Sequence, residues 1–89
     1  MTARRALVQG RVQGVGFRYF AVRAARELGV SGWVRNLPDG TVETMAEGES
    51  AAVERYIERL RQGPVASRVD RVIVDEWTEQ GHQTFEITR

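Results

Sequence analysis

From Ala6 to Gln13 apolar and polar residues alternate with the period of a β-strand, placing Ala6, Val8, Gly10 and Val12 on one face and Leu7, Gln9, Arg11 and Gln13 on the other. At Phe17 the period lengthens to that of a helix. Phe17, Phe20 or Ala21, Ala24 and Leu28 form the apolar stripe, Arg23, Arg26 and Glu27 lie opposite, and Gly29 is a natural stop. Val30 to Asn36 reads as a second strand, closed by the turn signal Leu37-Pro38-Asp39-Gly40, and Thr41 to Glu47 as a third folding back on it as a hairpin. Ser50 is placed to cap a second helix whose stripe is Val53, Tyr56, Ile57 and Leu60, ended by Gly63-Pro64. Arg68 to Trp77 predicts a fourth strand and Thr84 to Thr88 a short fifth. The order βαββαβ plus a short terminal strand predicts an α+β, ferredoxin-like α/β sandwich. In it an antiparallel sheet carries two helices on one face, and the first and last main strands lie side by side or near the sheet centre.

Between the first strand and the first helix lies the most unusual stretch, Gly10-Arg11-Val12-Gln13-Gly14-Val15-Gly16-Phe17-Arg18. Glycines here let successive main-chain amides turn inward as a concave nest, the helix start adds partial positive charge, and Arg18 offers a planar fork matching two phosphate oxygens. The plain alternative is an ordinary strand-to-helix turn with a surface arginine.

Composition narrows the choices. A chain of 89 residues with 42% hydrophobic content is sized for one domain, residues 1–89, with a single core. No cysteine is present, so disulfides, thiolate metal sites and a cysteine nucleophile are excluded. No apolar run approaches the roughly 18 residues of a membrane span or makes a signal peptide, so a cytoplasmic protein with no membrane partner is expected. The 13 basic side chains, all arginine, nearly balance 12 acidic ones for a net charge of +1. That balance argues against a nucleic-acid partner, and the lack of lysine rules out a Walker-type phosphate loop.

Val8-Gln9-Gly10-Arg11-Val12-Gln13-Gly14-Val15-Gly16-Phe17-Arg18, followed by Gly32-Trp33-Val34-Arg35-Asn36 and Asp39-Gly40-Thr41-Val42-Glu43, resembles acylphosphatase, and the likeness spans about residues 6 to 88. The resemblance implies the same α/β sandwich and a metal-free, cofactor-free hydrolase of small-molecule acyl phosphates, here expected to be monomeric. By position it makes Arg18 the phosphate-binding arginine and the amides of Gln13, Gly14, Val15, Gly16, Phe17 and Arg18 the phosphate cradle. It makes Asn36 the residue that positions the attacking water, so that Arg18 and Asn36 are the catalytic pair. Some members carry a hydroxyl residue directly after the asparagine. Leu37 stands there in this chain, so no hydroxyl at that position supports Asn36.

The residue chemistry agrees. An acyl phosphate expels a carboxylate whose conjugate acid titrates near pH ~4, so the leaving group needs no proton. The only histidine, His82, sits in a polar turn far along the chain from the loop. Direct attack by water fits these residues, with a substrate phosphate oxygen as the proton acceptor. Other features read as structure: Trp33 and Trp77 as packing on the sheet, Tyr19 as an exposed or half-buried neighbour of the loop, and Arg11 and Arg35 as surface arginines. Asp70, Asp75 and Glu76 lack metal-ligand spacing, and Arg55, Glu58, Arg59 and Arg61 form a solvated helix face. Two other readings compete. One is a ferredoxin-like sheet that binds RNA. The other is a carbamoyl-phosphate-specific domain, like those fused to carbamoyl-transferring maturation proteins.

Overall fold

In the computed structural model, which describes Met1 to Arg89, the elements are β1 (Thr2–Arg11), α1 (Phe17–Leu28), β2 (Ser31–Asn36), β3 (Val42–Gly48), α2 (Ser50–Gln62), β4 (Arg68–Glu76) and β5 (Phe85–Ile87). The strands form one sheet in the order β4-β1-β3-β2-β5. β1 takes an interior place between β3 and β4. It starts earlier than the alternation indicates because Arg4 and Arg5 keep their ladder partners on both sides, and Arg5 meets a carboxylate on β3.

The four long strands pair antiparallel, but β5 runs parallel to β2, which makes the sheet mixed where the sequence pointed to an antiparallel one. The connection explains the difference. β4 ends beside the start of β1, where Glu76 faces Arg4, and the chain then crosses that sheet end over β3. The main-chain amides of Gln80, Gly81 and His82 donate to the buried carboxylate of Glu47 at 3.0–3.2 Å and pin the crossing. The chain therefore reaches β2 at its beginning and can only run on beside it in the same direction.

Both helices cover one face of the sheet. The core between them holds Ala6, Val8 and Val12 of the first strand and its exit, Phe17, Ala21, Ala24 and Ala25 of α1, and Val53, Tyr56, Ile57 and Leu60 of α2. On α1 the stripe runs through Ala21, while Phe20 is half-buried with its ring 5.8 Å from that of Phe17. Three alanines on the buried face let this helix lie close to its neighbours. Tyr56 takes its phenol into the core, where the Thr44 hydroxyl lies 2.7 Å away and itself donates to the Trp33 carbonyl at 2.8 Å, so no polar group there is left unpaired. Burial pushes this phenol's pKa up, with the Thr44 hydrogen bond opposing. Ser50 does not cap α2: it is the helix's first residue, Glu49 occupies the cap position without a side-chain bond, and the Ser50 hydroxyl instead meets that of Thr2.

The uncovered face of the sheet is built around Glu43, which is 5% exposed. Arg5 Nε and Arg35 Nε each donate to it at 2.6 Å. The two guanidinium groups also lie over Trp77 and Trp33, 5.4 and 5.3 Å from the ring centroids. Burial works to raise the Glu43 carboxyl, but the hydrogen bonds and charge of the two arginines outweigh it and hold the group below the ordinary carboxylate range.

Candidate active site

β1 and β2 both pair antiparallel with β3, which lies between them, so they run in the same direction and end at the same edge of the sheet. Val42 marks that edge, facing Val8 on one side and Asn36 on the other. The loop leaving β1 and the last residue of β2 are neighbours for that reason, although far apart in sequence. A bulge at Gln9/Gly10 shifts the pairing with β4 just before the chain turns into the loop.

Gly14 and Gly16 have φ of +73° and +79°, left-handed values that a residue with a Cβ adopts only with strain. They fold Val12 to Gly16 tightly onto the start of α1. Outside the regular elements the first main-chain bond there runs from Phe20 N–H to Gly16 O at 3.0 Å. The amides of Gln13 to Arg18 donate to no acceptor in the protein. Such a run of unpaired donors at a helix N-terminus has the chemistry to receive an anion.

The loop borders a cleft of about 80 Å³ lined by Val12, Gly14, Gly16, Phe17, Arg18, Tyr19 and Asn36. Arg18 is half-buried and makes no ion pair, unlike Arg5, Arg35, Arg59, Arg61 and Arg68. Asn36 brings the complementary feature: its Oδ1 is buried with no hydrogen-bond donor within the protein. Leaving such an acceptor unpaired costs about 1–3 kcal/mol. A larger concavity of about 640 Å³ runs between α2 and the β1–β4 edge. It is lined by charges of both signs, including Arg4, Glu54, Arg55, Glu58 and Arg61, and size alone does not make it the site.

Of the residues singled out from the sequence, Gly14, Gly16, Phe17, Arg18 and Asn36 meet at the small cleft. Val15 turns away and packs on the core. The Gln13 side chain also turns away: its Nε2 donates to the carbonyls of Leu37 and Thr41, both at 2.8 Å. Sequence reasoning saw Gln13 only as a main-chain donor, and nothing in a lone glutamine signals a side-chain tie across strands. Tyr19, read simply as a neighbour of the loop, is 73% exposed and lines the cleft mouth. Arg35 is committed to Glu43 and points to the other face of the sheet. Asp70 and Asp75 sit beside Arg68 and Arg5, and His82 lies near Glu47, at the far end of β3 from the cleft.

The turn bearing Asn36 is closed by Leu37 N–H to Thr41 O (2.9 Å) and Gly40 N–H to Leu37 O (3.1 Å). Within it the Thr41 hydroxyl and amide donate to Asp39 at 2.6 and 3.0 Å, and these bonds hold the Asp39 carboxyl below its usual range.

Residues 4–87 match the protein family described as Acylphosphatase. This chain belongs to the acylphosphatase family. It is 52% identical over 85 residues to the acylphosphatase of Acaryochloris marina, an alignment covering 96% of this chain and 91% of that protein. In three dimensions it is similar to the crystal structure of acylphosphatase from Bacillus subtilis, with a TM-score of 0.97, 41% identity and complete coverage of both chains. The same acylphosphatase fold recurs within a much longer protein: against the crystal structure of HypF from T. kodakarensis the TM-score is 0.87 at 38% identity, covering all of this chain and 12% of the other. The RNA-binding reading is not favoured. Besides the family match, the aromatics on the open sheet face are already engaged by Arg5 and Arg35.

Proposed function

We propose that this acylphosphatase holds the phosphoryl group of its substrate on the amides of Gln13 to Arg18 and the Arg18 guanidinium, and that Asn36 directs water onto the phosphorus. The reaction class follows from family membership: hydrolysis of an acyl phosphate to a carboxylate and inorganic phosphate, EC 3.6.1.7. What supports the catalytic assignment is one observation, that a run of unpaired donors, an unpaired arginine and an unpaired buried acceptor border a single small cleft.

Each part has a chemical task. The amides and guanidinium meet the dianionic phosphoryl oxygens, each charge-assisted bond contributing about 1.5–3 kcal/mol. Because the transition state spreads charge over those same oxygens, one preorganised donor is worth about 10²–10³ in rate. Asn36 Oδ1 accepts a hydrogen bond from water and aims its lone pair at phosphorus, and the water proton passes to a phosphoryl oxygen as the P–O bond to the carboxylate breaks. The carboxylate leaves as a stable anion, so no general acid is needed.

In this reading residues 1–89 act as one domain, a monomer without cofactor or nucleic-acid partner in the cytoplasm; no helix is long and apolar enough to cross a membrane. Hydrolysis of benzoyl phosphate in oxygen-labelled water tests the chemistry. The label is expected in inorganic phosphate, and label in benzoate would mean attack at the carbonyl carbon and overturn the proposal.

A further inference from the structure

We infer that the side chain of Gln13 is a positioning residue, which holds Asn36 at a fixed distance from the phosphate loop and so sets the turnover rate without binding substrate. The inference rests on the proposed roles of the loop and of Asn36. Gln13 is the second residue of the loop, and its Nε2 crosses to the β2–β3 turn, donating to Leu37 O and Thr41 O at 2.8 Å each. Leu37 directly follows Asn36, and Thr41 directly precedes Val42, the residue facing Asn36 across the ladder. Both hydrogens of one amide therefore grip the chain on the two sides of the hairpin neck that carries Asn36.

The tie is not needed to close the turn. Leu37 O already accepts from Gly40 N–H, and Thr41 O from Leu37 N–H. Removing the Gln13 amide leaves neither carbonyl without a donor, so its contribution to stability is small. Nor does the tie shape the anion nest, which the left-handed Gly14 and Gly16 and the start of α1 define. What the bond does is join two pieces of chain, Val12–Gly16 and Leu37–Thr41, that no other hydrogen bond links. In the proposed reaction the phosphorus sits on the first piece and the start of α1 that follows it, and the water is directed by Asn36, directly before the second piece; a misplacement of an ångström between reacting groups costs up to about 10²-fold in rate.

The test is a double-mutant cycle between Gln13→Met, which keeps the side chain's length without its donors, and Asn36→Ala, assayed with benzoyl phosphate. Gln13→Met is expected to lower kcat at least about tenfold while KM and inhibition by inorganic phosphate stay within about threefold and the melting temperature is unchanged. In the Asn36→Ala background the same substitution is expected to have no further effect, because Gln13 acts through Asn36. Gln13→Glu, which keeps the shape but turns an acceptor toward the two carbonyls, serves as the second variant and is expected to be at least as slow as Gln13→Met. Full activity of Gln13→Met, parallel loss of kcat and phosphate inhibition, or an undiminished effect in the Asn36→Ala background overturns the inference while leaving the catalytic assignment intact. Full activity of Asn36→Ala itself overturns both.

Discussion

Arg35 and Asn36 are adjacent on β2 and serve opposite faces of the sheet. The Arg35 guanidinium is fixed to Glu43 at 2.6 Å on the open face, while Asn36 lines the cleft on the helix side. The alternation of a strand thus couples the placement of the proposed water-directing amide to a buried charge cluster behind it. Glu43 holds both Arg5 and Arg35, which tie β1, β3 and β2 together beneath the edge where the site is built.

Glu43 is therefore predicted to matter for stability and its pH dependence. Its carboxyl is held below the ordinary range in the folded state, so its contribution is fully present above the unfolded value of about 4.3 and is lost as pH falls through the lower folded value. Glu43→Gln is expected to lower stability at pH 7 by about 1–3 kcal/mol. The gap between parent and variant in urea melts closes in acid below the ordinary glutamate range. A gap that stays constant down to acid pH contradicts the assignment.

Arg18→Ala is predicted to abolish both turnover and inhibition by inorganic phosphate, with little loss of stability because the side chain has no ion pair to lose. Arg18→Lys is expected to remain poor, since a point charge replaces a two-pronged donor. Inhibition constants for phosphate check both; unchanged inhibition in Arg18→Ala would remove Arg18 from the site.

Gly16→Ala tests the loop. A Cβ at Gly16 meets nothing within 4 Å, so the only penalty is the left-handed backbone, about 1–2 kcal/mol. If the chain relieves that strain by rotating, the amides at the start of α1 swing away from the cleft. The expected result is a fall in kcat/KM of at least about tenfold with a modest drop in melting temperature. Parent-like kcat/KM together with a parent-like melting temperature would contradict the strained left-handed loop described here.

The layout was readable from the sequence where periodicity and breakers agreed. The α2 stripe of Val53, Tyr56, Ile57 and Leu60 is buried as its spacing indicates, and Gly29 and Gly63 end their helices. The glycine loop and Asn36, named from motif blocks, border one cleft because β1 and β2 share a direction. What stayed illegible depends on contacts distant in sequence. The parallel course of β5 follows from the Glu47 crossing, and no local pattern encodes it. Ser50 looked like a cap from its residue type, yet the helix starts on it. The Gln13 tie depends on a strand register that composition does not reveal.

The most direct measurement is the comparison of Asn36→Ala with the parent in turnover, phosphate inhibition and stability. The variant is expected to lose at least about 10² in kcat for benzoyl phosphate, to keep phosphate inhibition within about threefold, and to be no less stable, because the buried Oδ1 it removes had no partner. Turnover at the parent rate in a folded variant that still binds phosphate would contradict the account.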